Sequence, residues 1–248
     1  MRVAAIYDIH GNLPALEAVL REVEVANVDQ VVVGGDVFPG PMPRESLRRL
    51  LTLHLPVHFI CGNGDREVLA RMRGGESESV PEQFREVFRW VAAQLSEADE
   101  ARIAEWPATL RMDIPGLGPV LFCHATPRND TEIFTRVTPE ERLLPIFGGI
   151  DAEHVVCGHT HMQFDRMVGG VRVVNAGSTG MPFGEPGAYW LLLGPGVELR
   201  HTSYDLEAAA AQIRASTYPQ ADTFAAHNLL HPPTENSMLE AFKRSELK

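Results

Sequence analysis

The stretch that decides the fold is Asp151-Ala152-Glu153-His154-Val155-Val156-Cys157-Gly158-His159-Thr160-His161. Val155 to Cys157 is a short apolar run of the kind that a buried strand leaves in a sequence. Gly158 ends this run and permits a sharp exit from the strand. His159 and His161 follow two residues apart, so in extended backbone both rings fall on the same side. Two imidazoles just past a glycine are typical of metal ligands.

Four other apolar runs end in the same manner. The runs are 3–7, 30–33, 57–61 and 120–123, and the polar side chains that follow them are Asp8, His10, Asp36, Asn63 and His124. Open α/β sheets bind their ligands at the carboxyl ends of the strands. We therefore expect these side chains to meet His159 and His161 at one edge of a sheet.

Helical patterns alternate with the first strands, which predicts an α/β protein. A helical insertion at about residues 66–106 follows, with a polar segment at 74–79 and one apolar stripe at Phe84, Val87, Phe88, Val91 and Leu95. From residue 110 onwards the pattern is mostly that of strands. We predict one domain at residues 1–204 and a helical extension at 205–248, which either packs on that domain or trails from it.

Composition narrows the function. The chain has 248 residues, 44% of them hydrophobic, and a net charge of −11. This charge disfavours a general nucleic-acid binder, although bound divalent cations would still attract a phosphate. No apolar run is long enough for a membrane span. The three cysteines offer no disulfide framework, which favours a cytoplasmic location, and we expect Cys61, Cys123 and Cys157 to be small buried residues rather than ligands.

The motifs together resemble a known family. They are Asp8-x-His10, Gly35-Asp36, Gly62-Asn63, His124 and Gly158-His159-Thr160-His161, in the order of the calcineurin-like metallophosphoesterases. The resemblance spans residues 3 to about 204 and is strongest to small bacterial and archaeal YfcE-like phosphodiesterases, in which a motif like Asn175 to Ser178 follows the paired histidines. It implies an α/β (α+β) fold, a four-layer αββα sandwich of two mixed β-sheets flanked by helices, with a binuclear metal centre between the sheet edges.

The resemblance also assigns the ligands. One metal would be held by Asp8, His10, Asp36 and His161, and the other by Asp36, Asn63, His124 and His159. It implies catalytic roles for Asp36, which bridges the metals, and for His124 and Asn63. The cofactors would be two divalent ions drawn from manganese, iron, zinc and nickel. A hydroxide that bridges them would attack the phosphoester.

Substrate contacts are predicted at three kinds of residue. Asn12 either caps a helix or touches substrate, and Arg66, Arg128 and Arg136 lie near the motifs and could bind phosphate oxygens. Asp65 either orients a ligand or sits at a helix N-terminus. Gly64 stands where many family members carry a histidine that donates a proton or contacts phosphate. We expect space at this glycine and a preference for phosphodiesters over monoesters.

Three alternatives to a phosphodiesterase remain. The chain could be a catalytically silent scaffold or interaction protein, as the retromer subunit of this fold is. It could be a phosphomonoesterase or nucleotide phosphatase, or it could hydrolyse a non-phosphate ester. The expected partner is a small phosphorylated substrate, with no general nucleic-acid binding and no membrane.

Overall fold

Strands and helices alternate along the first part of the chain. The computed structural model describes residues 1–75 and 80–247. Its elements are β1 (Val3–Ile6), α1 (Leu13–Val25), β2 (Gln30–Val33), α2 (Pro43–Leu51), β3 (Val57–Phe59), α3 (Asn63–Met72), α4 (Glu82–Gln94), α5 (Glu97–Ile103), β4 (Thr109–Ile114), β5 (Gly118–Cys123), α6 (Glu140–Phe147), β6 (His154–Cys157), β7 (Phe164–Val168), β8 (Val171–Asn175), β9 (Ala188–Leu193), β10 (Val197–Thr202), α7 (Leu206–Arg214), α8 (Ala221–Phe224), a π-helical turn (Ala225–Leu230) and α9 (Glu235–Phe242).

The strands form two five-stranded mixed sheets. The first sheet has the order β10-β9-β1-β2-β3, and the second has the order β4-β5-β6-β8-β7. Strands β1, β2 and β3 are parallel, whereas β9 runs antiparallel to β1. In the second sheet, β5, β6 and β8 are parallel, and the two edge strands are antiparallel to their neighbours. Both sheets therefore have parallel strands at their centre, whose carboxyl ends can share one site.

Three apolar cores lie between four layers. Leu16, Val31 and Val87 belong to the core between the first sheet and its helices. Tyr7 and Phe122 belong to the core between the two sheets. The third core lies between the second sheet and α6 and includes Leu121, Phe134, Leu143 and Phe147. The predicted αββα sandwich is confirmed.

Element boundaries differ from the prediction where polar residues take over the backbone hydrogen bonds. Strand β3 ends at Phe59 rather than at residue 61, and α3 begins at Asn63, before the predicted start of the insertion at about residue 66. The earlier helix start follows from the Asp65 carboxylate, which accepts a hydrogen bond from the amide of Gly62. Asn63 consequently sits in the first helical turn. Within the predicted helical insertion, residues 76–79 of the polar segment lie outside the described residues.

The C-terminal extension packs on the rest of the chain. Ala209 and Ile213 of α7, Phe224 of α8 and Leu229 of the π-helical turn belong to the core of the first sheet. At the other end, Glu246 accepts hydrogen bonds from Thr138 and Arg142 beside α6. The domain boundary at residue 204 stays a prediction. No helix among the described residues has the length and apolar character to cross a bilayer.

Candidate metal centre

The seven predicted ligands lie together where the two sheets meet. Loops after β1 and β2 and the first turn of α3 carry Asp8, His10, Asp36 and Asn63 from the first sheet. Loops after β5 and β6 carry His124, His159 and His161 from the second sheet. Each sheet therefore contributes only part of the cluster, and the cluster exists only while the sheets are packed together.

One half of the cluster is built around His10 and His161. Their Nε2 atoms lie 3.2 Å apart. Oδ1 of Asp8 lies 3.3 Å from Nε2 of His161, and Oδ2 of Asp36 lies 3.8 Å from Nε2 of His10. Asp8, His10 and His161 offer ligand atoms within 4.8 Å of one another, close enough for one metal ion.

The other half is built around His124. Its Nε2 lies 3.6 Å from Oδ1 of Asp36 and 3.0 Å from Oδ1 of Asn63. The same corner of the Asn63 amide is 3.0 Å from Nδ1 of His159. Oδ1 of Asp8 also approaches His124, at 3.9 Å, so Asp8 borders both halves. The two oxygens of Asp36 face opposite halves, as a bridging carboxylate requires.

Backbone carbonyls orient all four imidazoles. A carbonyl oxygen can only accept a hydrogen bond, so the ring nitrogen beside it carries the proton. The other nitrogen of each neutral ring then turns its lone pair towards the cluster, as it does in metal-ligating histidines. The donor–acceptor pairs are His10 Nδ1 with Pro39 (3.2 Å), His124 Nδ1 with Gly34 (3.0 Å), His159 Nε2 with Thr131 (3.3 Å) and His161 Nδ1 with Met181 (2.7 Å).

The centre is rich in acceptors and poor in donors. Nε2 of His10 and Nε2 of His161 face each other at 3.2 Å. The Asn63 amide faces ring nitrogens of both His124 and His159; its nitrogen would donate to them, whereas its oxygen can face them only with a cation in between. Oδ1 of Asp8 is buried, with Nε2 of His161 3.3 Å away. Buried acceptors without donors are unfavourable, and a cation placed among them would satisfy all of them. The side chains present therefore fit divalent metal ions.

Burial also prepares the imidazoles for metals. It lowers the pKa of His10 and of His159 to about 3, so both rings are neutral at pH 7. Burial alone would raise the pKa of Asp8, but the neighbouring His161 outweighs it and holds that pKa below its usual range. For His161, burial lowers the pKa and the Asp8 charge raises it, with a net rise. Metal binding would therefore displace a proton at this pair.

Five of the seven predicted ligands have left-handed backbone. The φ angles are 52° at Asp8, 47° at His10, 51° at Asp36, 65° at His159 and 57° at His161. Residues with a Cβ adopt this region rarely, because Cβ approaches the following carbonyl oxygen. Such residues cluster at functional sites, where the surrounding structure holds them in place. Here the left-handed turns aim side chains inward directly after a strand.

Glycines let the ligand loops approach one another. A Cβ on Gly62 would lie 2.2 Å from Oδ1 of Asp36, and a Cβ on Gly158 would lie 2.4 Å from Oδ2 of Asp8. A Cβ on Gly64 would lie 2.4 Å from the carbonyl oxygen of Phe38. The expectation of free space at Gly64 is wrong in this respect, because backbone already occupies the place of its missing Cβ.

Asp65 positions Asp36. Its carboxylate accepts hydrogen bonds from the amides of Asp36 (2.8 Å), Phe38 (3.1 Å) and Gly62 (3.0 Å). Both alternatives considered for Asp65 therefore hold: it caps α3 and it fixes the loop that carries a ligand. Burial and the Asp36 charge raise the pKa of Asp65 to about 8 in the metal-free protein.

The Asn175 to Ser178 motif joins the two ligand loops. Asn175 Nδ2 donates to the carbonyl oxygen of Gly158 (2.6 Å), just before the paired histidines. Ser178 Oγ donates to the carbonyl oxygen of Asp8 (2.8 Å) and accepts from the amide of Met181 (2.8 Å). The carbonyl of Met181 in turn holds His161. The motif thus orients the residues predicted to bind metal and is not predicted to bind metal itself.

The predicted substrate contacts separate into three kinds. Asn12 is fully buried, caps α1 through the amide of Ala15, and donates to the carbonyl oxygen of Gly180. It is therefore the helix cap, and it does not line the cavity above the cluster. Arg128 pairs with Glu132 and Arg136 with Glu235, and neither arginine lines the cavity above the cluster. Only Arg66 borders the cavity above the cluster, where it pairs with Asp130 and Glu67.

A cavity of about 740 Å³ opens onto the cluster. His10, Asp36, Asn63 and Gly64 form its floor. Its walls come from the start of α4 and from the C-terminal extension, neither of which the sequence pattern places at the site. The signal was ambiguous there, since Phe84 fits the same helical stripe as Val87, yet Phe84 is 41% exposed and borders the cavity.

The cysteines take no part in the cluster. Cys123 and Cys157 are fully buried, and burial raises the pKa of both thiols. Burial and the charge of Asp65 raise the pKa of Cys61. A thiol must lose its proton to bind a metal. Cys123 and Cys157 therefore serve as packing residues of the third core, whereas Cys61 is only half-buried and belongs to none of the three cores, contrary to the prediction.

Comparison with known proteins agrees with this fold. The chain is 27% identical over 164 residues to uncharacterized protein MJ0912 of Methanocaldococcus jannaschii, a match that spans 65% of this chain and 63% of that protein. Its fold is similar to that of hypothetical protein PH1004 from Pyrococcus horikoshii, with a TM-score of 0.78 at 20% identity over 94% of this chain and 99% of that one.

A metallophosphoesterase from Sphaerobacter thermophilus is similar in both sequence and fold. Its TM-score is 0.72 at 26% identity, over 91% of this chain and 98% of that one. The profile of the calcineurin-like phosphoesterase superfamily domain matches residues 1–193. The predicted family is confirmed: the chain belongs to the calcineurin-like phosphoesterase superfamily.

Proposed function

We propose that this protein is a phosphodiesterase that works with two divalent metal ions. One observation carries the proposal: ring nitrogens of four imidazoles, two carboxylates and the Asn63 amide converge in one cluster. The cluster has two halves, and Asp36 turns one oxygen to each. A pair of bound ions would activate water and neutralise charge on the phosphoryl group.

The chain's own residues would hold and orient these ions. Asp36 would hold both ions, and the amide of Gly64, 2.7 Å from its Oδ1, fixes the carboxylate plane. Asp8 would balance charge between the halves. Asn63 and His124 would complete the half that faces α3. Neutral ligands outnumber carboxylates here, so two divalent ions would leave the centre positive enough to attract an anionic phosphoester.

The surroundings favour a diester over a monoester. Arg66 is the one cationic side chain among the described residues that line the cavity, and Asp130 and Glu67 already neutralise it. A monoester dianion would find no further cation beyond the metals. A diester carries one charge fewer and presents a second organic group, which the cavity can accommodate.

The test combines metal analysis with substrate profiling. Protein dialysed against manganese, ferrous iron, zinc or nickel should hold close to two ions per chain by elemental analysis. With those ions it should hydrolyse bis(p-nitrophenyl) phosphate with a higher kcat/KM than p-nitrophenyl phosphate. Asp165→Asn, in an ion pair with Arg172 outside the cluster, is the control and should match the parent protein.

Each alternative has its own outcome. A metal content that stays near one or zero would overturn the binuclear centre. Preference for p-nitrophenyl phosphate would make the protein a monoesterase, and preference for p-nitrophenyl acetate would make it a hydrolase of another ester class. If two ions bind and no ester is hydrolysed, the protein would be the catalytically silent scaffold.

A further inference from the structure

The cavity above the metal centre has two walls of different origin. One wall is the start of α4 with the residues just before it, and includes Val80, Phe84 and Phe88. The other wall is the segment from Tyr218 to Asn228 in the C-terminal extension. Since neither wall contributes a candidate metal ligand, their side chains are available to select what binds beside the metals.

The walls carry aromatic side chains, and the C-terminal wall is firmly packed. Tyr218 and Phe224 are 8% and 3% exposed. Their rings meet edge to face at 5.9 Å, and Tyr218 meets Trp90 in the same way at 5.5 Å. Phe84, by contrast, is 41% exposed although it borders a concave surface. Aromatic rings prefer offset or edge-on contact with other rings. The aromatic side chains of the two walls therefore favour a planar aromatic group in the cavity.

The described residues bring few charges to these walls. Beyond the candidate metal ligands, the charged side chains among the described lining residues are Arg66 and Glu67, which pair with each other at 2.8 Å. A second phosphate or a carboxylate on the ligand would meet no free cation among the described lining residues. Burying an unpaired charge is strongly unfavourable, so the ligand's organic part should be uncharged.

A few polar side chains share the C-terminal wall. His227 and Asn228 lie on the π-helical turn, and Gln220 and Thr223 precede it. Single π-helical turns are rare and occur frequently at functional sites. Burial raises the pKa of Tyr218, so its hydroxyl keeps its proton at pH 7. Apolar walls with a few convergent polar groups are typical of small-molecule sites.

We propose that this cavity binds the organic arm of the phosphoester and that this arm is an uncharged aromatic group. Phe84 selects it from the α4 side, and Tyr218 and Phe224 select it from the C-terminal side. The inference rests on the proposed function, because it takes the ligand of the metal centre to be a phosphoester. It adds the class of the arm and the residues that recognise it.

Binding of simple phosphate esters tests this directly. Phenyl, cyclohexyl, methyl and 4-carboxyphenyl phosphate are titrated into the metal-loaded protein by calorimetry. All four place the same phosphate on the metals, so differences in Kd report on the arm. Phenyl phosphate should bind at least tenfold more tightly than each of the others, which corresponds to about 1.4 kcal/mol. A smaller ratio against any of the three would overturn the inference.

Two variants locate the selectivity. Phe84→Ala should reduce the phenyl-to-methyl ratio to threefold or less. Leu199→Ala is the matched control, because Leu199 is 42% exposed on β10 and does not line the cavity; it should keep the parent ratio. An unchanged ratio in Phe84→Ala would show that Phe84 does not select the aromatic group.

Turnover measured on the same preparations separates the two proposals. Hydrolysis of bis(p-nitrophenyl) phosphate without any preference for phenyl phosphate would uphold the phosphodiesterase and overturn the aromatic arm. Preference for phenyl phosphate without any turnover would uphold the arm and overturn the enzyme.

Discussion

Asp36 is the residue on which both halves of the metal centre depend. Its Oδ1 faces His124 and accepts the amide hydrogen of Gly64, while its Oδ2 faces His10. Asp36→Asn replaces one oxygen by a donor and removes the charge shared by the two halves. We expect bound metal to fall below one ion per chain, with diester kcat/KM lowered by more than the roughly 10–100-fold typical of losing an outer partner.

His10→Ala is the comparison for Asp36→Asn, because it removes a ligand from one half only. Elemental analysis should find about one ion in it, and its activity should exceed that of Asp36→Asn. Equal metal content and activity in the two variants would place the bridge elsewhere.

Asp65 provides a second test at the residue scale. Asp65→Asn turns one acceptor into a donor beside the amides of Asp36 and Phe38. We expect metal affinity to fall by roughly 10–100-fold, as for other losses of hydrogen bonds that orient ligands. The measurement is a titration with the metal ion, monitored by calorimetry.

Asp99→Asn is the matched control for Asp65→Asn. Asp99 makes the same capping box at α5, where its carboxylate accepts from the amide of Ser96 at 2.9 Å, but it contacts no candidate ligand. It should lose helix stability without losing metal affinity. Equal affinities in the two variants would reduce Asp65 to a helix cap.

We expect Gly64 to affect how a leaving group departs. Glycine has no side chain to act as a general acid, and a Cβ there would lie 2.4 Å from the carbonyl oxygen of Phe38. A positioned acid typically contributes 10²–10⁴-fold. We therefore expect kcat/KM to fall steeply across a series of aryl phosphodiesters as the leaving phenol becomes more basic. A flat series would assign the proton to another group, and His227→Ala would then be the variant to measure.

At the scale of elements, α6 and the end of the chain are joined through Glu246. This side chain is 8% exposed and accepts from Arg142 Nη1 at 2.6 Å and from Thr138. Glu246→Ala would leave both donors without their partner, which costs about 1–3 kcal/mol. At roughly 2–4 °C per kcal/mol, calorimetry should show Tm lowered by several degrees.

Glu240→Ala is the control for Glu246→Ala. Glu240 also forms an ion pair, with Lys243, but both side chains are exposed, and such pairs contribute little. Its Tm should stay within about one degree of the parent value by the same conversion. A Glu246→Ala variant as stable as Glu240→Ala would mean that the C-terminal contact does not hold α6.

The elements also show where sequence could and could not predict the site. Asp8 and His161 could be placed because each follows an apolar run, and parallel strands bring their ends to one edge. The position of Asp8 between both halves could not be predicted, because it depends on how two separate sheets pack. Phe84 and Tyr218 could not be placed on one cavity, since helical periodicity treats a residue facing a core and one facing a cavity alike.

At the scale of the whole molecule, metal should act as a cross-link between the sheets. Asp8 and His10 come from the first sheet and His161 from the second. At a metal concentration a hundredfold above Kd, one site adds about 2.7 kcal/mol. This corresponds to a rise in Tm of about 5–11 °C.

Differential scanning calorimetry with chelator and with added manganese measures this rise. His161→Ala is the control and should show a clearly smaller rise in Tm. This variant removes the second sheet's ligand from the half formed by Asp8, His10 and His161. A Tm indifferent to both chelator and manganese would show that the cluster does not join the sheets.

The left-handed ligands also tie backbone strain to the candidate site. Glycine would relieve the backbone at all five positions, because it has no Cβ to approach the following carbonyl oxygen. The same substitution would remove the side chain that faces the cluster, so the strain and the ligand atom are lost together. The strain at Asp8, His10, Asp36, His159 and His161 therefore belongs to the candidate metal centre and not to the sheets on either side of it.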